Sequence, residues 1–192
     1  MATPGPPLSL KPSSIDLVLL DRDGVINRDS EAYIRTPDEW HAIDGAMQAI
    51  AALQARFQVA VCTNQSGIGR GFFSTATLQA IHSKLNDAAR HAGGRDLDVF
   101  FCPHLPEDEC ACRKPQAGLL TTAMQARGVG PARTIYVGDS EKDLLAAKAA
   151  GCRAVLVRTG NGTRTAETDA AREAVVFDDL AALGRALAKR RG

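Results

Sequence analysis

Apolar residues in this chain gather into short runs of strand length, at positions 15–20, 59–62, 99–102, 134–137 and 154–157, with a weaker run at 174–177. Several are rich in Val and Ile, which suit a buried strand. Between them lie stretches with helical spacing of apolar positions, at 46–55, 75–92, 117–127, 142–150 and 179–189. Strand and helix alternate throughout. Parallel neighbours need crossover connections, and the crossovers cover the sheet, so the pattern predicts a three-layer α/β fold with helices on both faces. In such a sheet ligands bind beyond the carboxyl ends of the strands, where three of the apolar runs give way to polar clusters.

The first run leads directly into Asp21-Arg22-Asp23-Gly24-Val25, two acids one residue apart. The second ends in Thr63-Asn64-Gln65-Ser66-Gly67, a neutral donor set of hydroxyl, amide and backbone N–H groups suited to phosphoryl oxygens. The fourth delivers Gly138-Asp139-Ser140, with Asp143 four residues beyond Asp139, and Asp139 has the position of a metal ligand. A fixed cation is offered by Arg113-Lys114-Pro115, just ahead of the helix expected at 117–127. A phosphate ester repels nucleophiles, so a carboxylate that attacks it needs a hard cation to neutralise charge and an acid to protonate the leaving oxygen. Each cluster alone has a structural reading as a loop, turn or helix cap. Their conjunction at successive strand ends favours phosphoryl chemistry.

Composition narrows the picture. The 192 residues suffice for one well-buried core, so a single domain is expected over 15–192 behind a Pro-rich, flexible leader at 1–14. With 23 Lys and Arg against 22 Asp and Glu, no global field draws the chain to nucleic acid or an anionic membrane. No run approaches the roughly 18 apolar residues that span a bilayer. A cytoplasmic protein with reduced thiols is expected, acting as a monomer.

Under reducing conditions the cysteines become informative. Cys102 and His104 are followed, after a five-residue gap, by Cys110 and Cys112, a full tetrahedral set for a structural zinc. The alternative is a Cys110–Cys112 disulfide or unrelated thiols. Since Cys112 directly precedes Arg113 and Lys114, a metal-fixed loop would hold both cations at the pocket. Cys62 and Cys152 read as core thiols, Trp40 as packing, and His41, His82 and His91 as solvated surface residues. Arg70, among glycines, either closes over substrate or faces solvent, and Gly160, Asn161 and Gly162 read as an ordinary loop.

Taken together, Asp21 and Asp23, Thr63, Lys114 and Asp139 resemble the four motifs of the haloacid dehalogenase superfamily of aspartate phosphatases, along nearly the whole chain after the leader. The resemblance implies a Rossmann-like sheet without a large cap domain. It also implies that Asp21 is the nucleophile, Asp23 the general acid and base, and Thr63 and Lys114 the holders of the phosphoryl group. Magnesium would be bound by Asp21, the backbone carbonyl of Asp23, and Asp139. The Cys and His loop is similar to that of the branch acting on heptose 1,7-bisphosphate, in lipopolysaccharide core synthesis, or on histidinol phosphate. The first is the expected substrate, losing its 7-phosphate, with contacts from Asp29 to Tyr33, from Thr63, Asn64, Gln65 and Ser66, and from Arg113 and Lys114. Arg113, which makes forked hydrogen bonds, suits the distal phosphate. The rival readings are a histidinol-phosphate phosphatase and a binding module that has lost turnover.

Overall fold

A computed structural model describes residues 10–30 and 32–188 of the chain. Six parallel strands form one sheet: β1 (Leu17–Leu20), β2 (Gln58–Asn64), β3 (Asp98–Cys102), β4 (Thr134–Gly138), β5 (Arg153–Val157) and β6 (Val175–Phe177). Their spatial order is β3-β2-β1-β4-β5-β6. The chain therefore winds outward from β1 in one direction and then from β4 in the other. The crevice where direction reverses lies between the carboxyl ends of β1 and β4, the place where this sheet class binds ligands.

Alternation of side chains across the pleat divides the core. Val18, Leu20, Val59, Val61, Ile135, Val137, Val155 and Val157 point to one face. There they meet α1 (Ala46–Gln54), α2 (Thr75–His91) and the sixth helix, α6 (Leu180–Ala188). Leu17, Leu19, Ala60, Cys62 and Tyr136 point to the other face, against α3 (Gly118–Arg127) and α4 (Glu141–Ala150). Helices on both faces explain why the strands read as continuous apolar runs rather than alternating ones. Trp40, Cys62 and Cys152 are buried.

The helix ends are locally encoded. Ser74 Oγ accepts from the Thr77 N–H at the start of α2. Gly128 and Gly151, in the left-handed region at φ 65° and 73°, terminate α3 and α4. A single-turn helix, α5 (Gly162–Thr165), begins at the last residue of the loop expected over 160–162. Strand β2 is longer than its apolar run because Thr63 and Asn64 pair in register with Phe101 and Cys102 of β3. Pairing, not hydropathy, extends it.

Residues 1–9 of the expected leader and the basic end of the chain at 189–192 lie outside the described residues. The rest of the leader is tied down: Leu10 packs against the core and Arg153 donates to Ser14. Among the described residues, the segments joining β1 to α1 and β2 to α2 hold no regular element larger than a single turn, so no large cap covers the strand ends. No described helix is long and apolar enough to cross a membrane. Ile50 on α1 is fully buried, so Ile50→Ala should lower stability by about 2–5 kcal/mol in urea unfolding.

Candidate active site

A cleft of about 450 Å³ opens over the carboxyl ends of β1, β2 and β4. Its walls include Asp21, Asp23, Asp29, Ser30, Tyr33, Thr63, Asn64, Gln65, Ser66, Arg113, Lys114 and Asp139, so the residues expected at the phosphate and substrate site border one space, apart from Ala32, which does not line it, and position 31, which lies outside the described residues. Ser140, Lys142, Asp143 and Asn161 join them. Arg70 is exposed and does not line the cleft.

Asp21 extends the β1 ladder, its N–H bonding to the Val137 carbonyl of β4 at 2.8 Å. The Arg22 N–H and Lys114 Nζ both reach its Oδ1, at 2.8 Å, which leaves Oδ2 to the cleft. Lys114 is buried and also donates to Asp143 Oδ1 and Tyr136 Oη, each at 2.7 Å. Burial works against its charge, but Asp143 and Asp21 outweigh burial and raise its pKa. Burial pushes Asp21 well above the usual carboxylate range, against the pull of Lys114 and with added repulsion from Asp143 and Asp139. Asp139 is pushed up to about 7, chiefly by burial and then by the charge of Asp143.

Asp21, Asp139 and Asp143 bring carboxylate oxygens within 4.8 Å of one another. Asp143 was not expected to carry a role, and its oxygens are spent elsewhere. Oδ1 takes Lys114 and Tyr136, while Oδ2 takes the Ser140 N–H and Oγ at the start of α4. Lys114 and those bonds hold Asp143 below the usual range despite burial. Asp139 differs: the hydrogen bonds reaching its carboxylate from described residues come from Asn161 N and Nδ2 and fall on Oδ2, leaving Oδ1 lone pairs for a cation. Asp21 and Asp139, hard oxygen donors whose pKa values are raised by burial and then by the charge of Asp143, fit magnesium. Asn161 escaped the sequence reading because only the fold returns β5 to the cleft. Gly24, at φ 79°, lies so close to Asp139 that a Cβ there would strike the carboxylate.

Asp23 points away from the acid cluster. Its Oδ1 accepts from Arg22 Nε and Asn27 Nδ2, its Oδ2 from Arg22 Nη2 and Gln65 Nε2, all at 2.9–3.0 Å. Burial opposes ionisation, yet the Arg22 charge and these bonds leave its pKa lowered. Gln65 Nε2 also reaches Thr63 Oγ1 at 2.9 Å. Asn64 grips the Lys114 backbone at both N–H and carbonyl, each at 3.1 Å. Tyr33 meets Phe72 edge-on at 5.2 Å, while burial raises the pKa of Asp29.

Cys102, His104, Cys110 and Cys112 form a ring, with Sγ and Nδ1 neighbours 3.3–3.6 Å apart and all four thiols or imidazole atoms within 4.8 Å. Sulfurs bound to zinc at 2.3 Å would lie about 3.8 Å apart at a tetrahedral centre, so the set fits that ion. The Sγ atoms of Cys110 and Cys112 stand 3.4 Å apart, beyond a disulfide bond. Arg113 Nη1 donates to the His104 carbonyl at 3.1 Å, tying this loop to the cleft.

Residues 111–183 match the Hydrolase_like family, HAD-hydrolase-like. The chain is 48% identical to a D-glycero-beta-D-manno-heptose-1,7-bisphosphate 7-phosphatase of Pseudomonas putida, over 89% of this chain and 98% of that protein. It is 49% identical to a protein of the same description from Bordetella bronchiseptica, over 89% and 97%. The crystal structure of D,D-heptose 1,7-bisphosphate phosphatase from B. bronchiseptica, complexed with magnesium and phosphate, matches with a TM-score of 0.86 at 48% identity, covering 90% of this chain and 98% of that one. The chain belongs to the HAD-like hydrolases. Within them it falls in the family of these heptose bisphosphate phosphatases.

His82 corrects the surface reading. It is buried on α2, with Nε2 3.3 Å from Arg22 Nη1, because the α2 face that carries it turns inward. Burial and then the Arg22 charge depress its pKa to about 4. Between pH 4 and 6.5 the unfolded chain binds the proton that the folded chain refuses, so stability falls as pH drops through that window. Chemical denaturation of wild type and His82→Gln should diverge by about 2–3 kcal/mol in favour of the variant on going from pH 7 to pH 4.5.

Proposed function

We propose that this chain hydrolyses the 7-phosphate of D-glycero-β-D-manno-heptose 1,7-bisphosphate, yielding the 1-phosphate for lipopolysaccharide core heptose synthesis. The observation that carries this reading is Asp21, clamped through Oδ1 by Lys114 at the switch point, in a chain nearly half identical to proteins of that description. Asp21 Oδ2 attacks phosphorus in line, forming an aspartyl-phosphate. Thr63 and Lys114 hold the phosphoryl oxygens, and Asp23 protonates the departing sugar oxygen and then takes a proton from the hydrolytic water. The bound phosphate's negative charge raises the affinity of Asp23 for that proton, which its resting partners otherwise lower.

Asp21, the Asp23 carbonyl and Asp139 would hold magnesium, which neutralises phosphate charge and keeps Asp21 ionised. The Cys102, His104, Cys110 and Cys112 set would hold zinc as a scaffold. Arg113 receives the distal phosphate, and Asp29, Tyr33, Asn64, Gln65 and Ser66 line the path to the sugar. Asn64 acts through Lys114, since both ends of its amide are engaged there. In this reading the enzyme is a monomer of one domain over 15–192 that acts in the cytoplasm on a small sugar bisphosphate.

Phosphate release by magnesium-loaded protein should favour heptose 1,7-bisphosphate over histidinol phosphate. Asp21→Asn should lose roughly four or more orders of magnitude in kcat. Preference for histidinol phosphate would move the substrate, and silence on both would leave only the phosphatase class. Stripping zinc at saturating magnesium should lower the melting temperature and raise KM together, because Lys114 is two residues from Cys112. Metal analysis and kinetics check it.

A further inference from the structure

Arg22 lies between the two aspartates and is buried to 1% exposure. A guanidinium in that position has to satisfy its donors within the protein, because a buried, unpaired charge is strongly destabilising. Arg22 does so in three directions. Nε and Nη2 form a fork on the two oxygens of Asp23, each at 3.0 Å. Nη2 also donates to Gln65 Oε1 at 3.1 Å, and Nη1 faces His82 Nε2 at 3.3 Å. An arginine only donates, so His82 must accept there as the neutral imidazole with its proton on Nδ1. Its depressed pKa agrees with that form.

Packing alone does not require this arrangement, since an apolar side chain of similar volume would fill the space without desolvating a charge. What the fork adds is direction: two parallel N–H···O bonds fix the plane of the Asp23 carboxylate. Gln65 follows β2 and His82 stands on α2, so two separate parts of the fold hold the guanidinium that holds the acid.

We propose that Arg22, itself held by His82 and Gln65, is a positioning residue that aims the Asp23 carboxyl at the leaving oxygen. The inference rests on the phosphatase reading above. In the first step an Asp21 oxygen bonds to phosphorus as the ester P–O bond breaks. The electron pair of that bond goes to the sugar oxygen, which takes the Asp23 proton and leaves as an alcohol. A misdirected Asp23 therefore harms a poor leaving group far more than one that departs stably as an anion.

Leaving-group dependence provides the test, with kcat/KM measured on heptose 1,7-bisphosphate and on p-nitrophenyl phosphate, whose phenolate needs little protonation. Arg22→Met should lose about 30-fold or more on the sugar phosphate and no more than about 3-fold on the aryl phosphate. His82→Leu should show the same asymmetry to a smaller degree, and His82→Gln, which keeps an acceptor, should restore the sugar phosphate rate. Thermal melts establish that each variant is folded, and the His82 pair decides the matter if Arg22→Met is not. Equal losses on both substrates, or no loss on the sugar phosphate, would overturn the positioning role. Wild-type protein that hydrolyses neither substrate would instead sink the phosphatase reading, and this inference with it.

Discussion

A buried ammonium group demands partners, and Lys114 has Asp21 at 2.8 Å with Asp143 and Tyr136 at 2.7 Å. These contacts join the end of β1, the middle of β4, the first turn of α4 and the loop after β3. Remove the lysine and two buried carboxylates would face each other without compensation. The positive charge thus permits the acidic cluster that a metal-assisted nucleophile requires. It also divides the labour among the acids: Asp143 is consumed in holding Lys114 and starting α4, while Asp21 and Asp139 each keep one oxygen for chemistry.

Lys114 is itself placed through its own backbone and the loop that leads to it. Asn64 at the end of β2 grips its backbone on both sides, and Cys112, two residues earlier, belongs to the ring of four residues that could hold a metal. The first ligand of that ring, Cys102, ends β3. The proposed zinc loop therefore runs from the sheet to Lys114 in about a dozen residues, which connects it to the cleft without placing it among the reacting groups.

The second aspartate lives in a separate electrostatic setting. Asp23 faces Arg22, Gln65 and Asn27, whereas Asp21 faces Lys114 and its fellow acids. Unaided, these settings raise Asp21 and lower Asp23, the reverse of what the proposed nucleophile and acid require, so a cation bound at Asp21 and a phosphate beside Asp23 would have to shift both back. The cleft above them is open, with Tyr33 on its wall and Phe72 packed against Tyr33, so an extended substrate has room to lie across the strand ends.

Much of this was legible in the chain before any coordinates. The strands and long helices follow from apolar periodicity, and Asp21, Thr63 and Asp139 stand out because a buried strand run stops abruptly at a polar residue. The Cys and His spacing is likewise a local signal. Tertiary structure alone decided the rest. His82 resembled a surface residue because one polar side chain in a helix carries no mark of which way that helix faces once α2 is docked. Arg22 carries no signal of a role in the sequence, and His82 and Gln65 meet it only in the fold. Asn161 looked like part of a loop, and became a partner of Asp139 only when β5 paired beside β4. Local pattern determines elements and the ends where chemistry gathers; which side chains face one another there depends on pairing and docking between segments distant in sequence, and that is decided only when the sheet assembles.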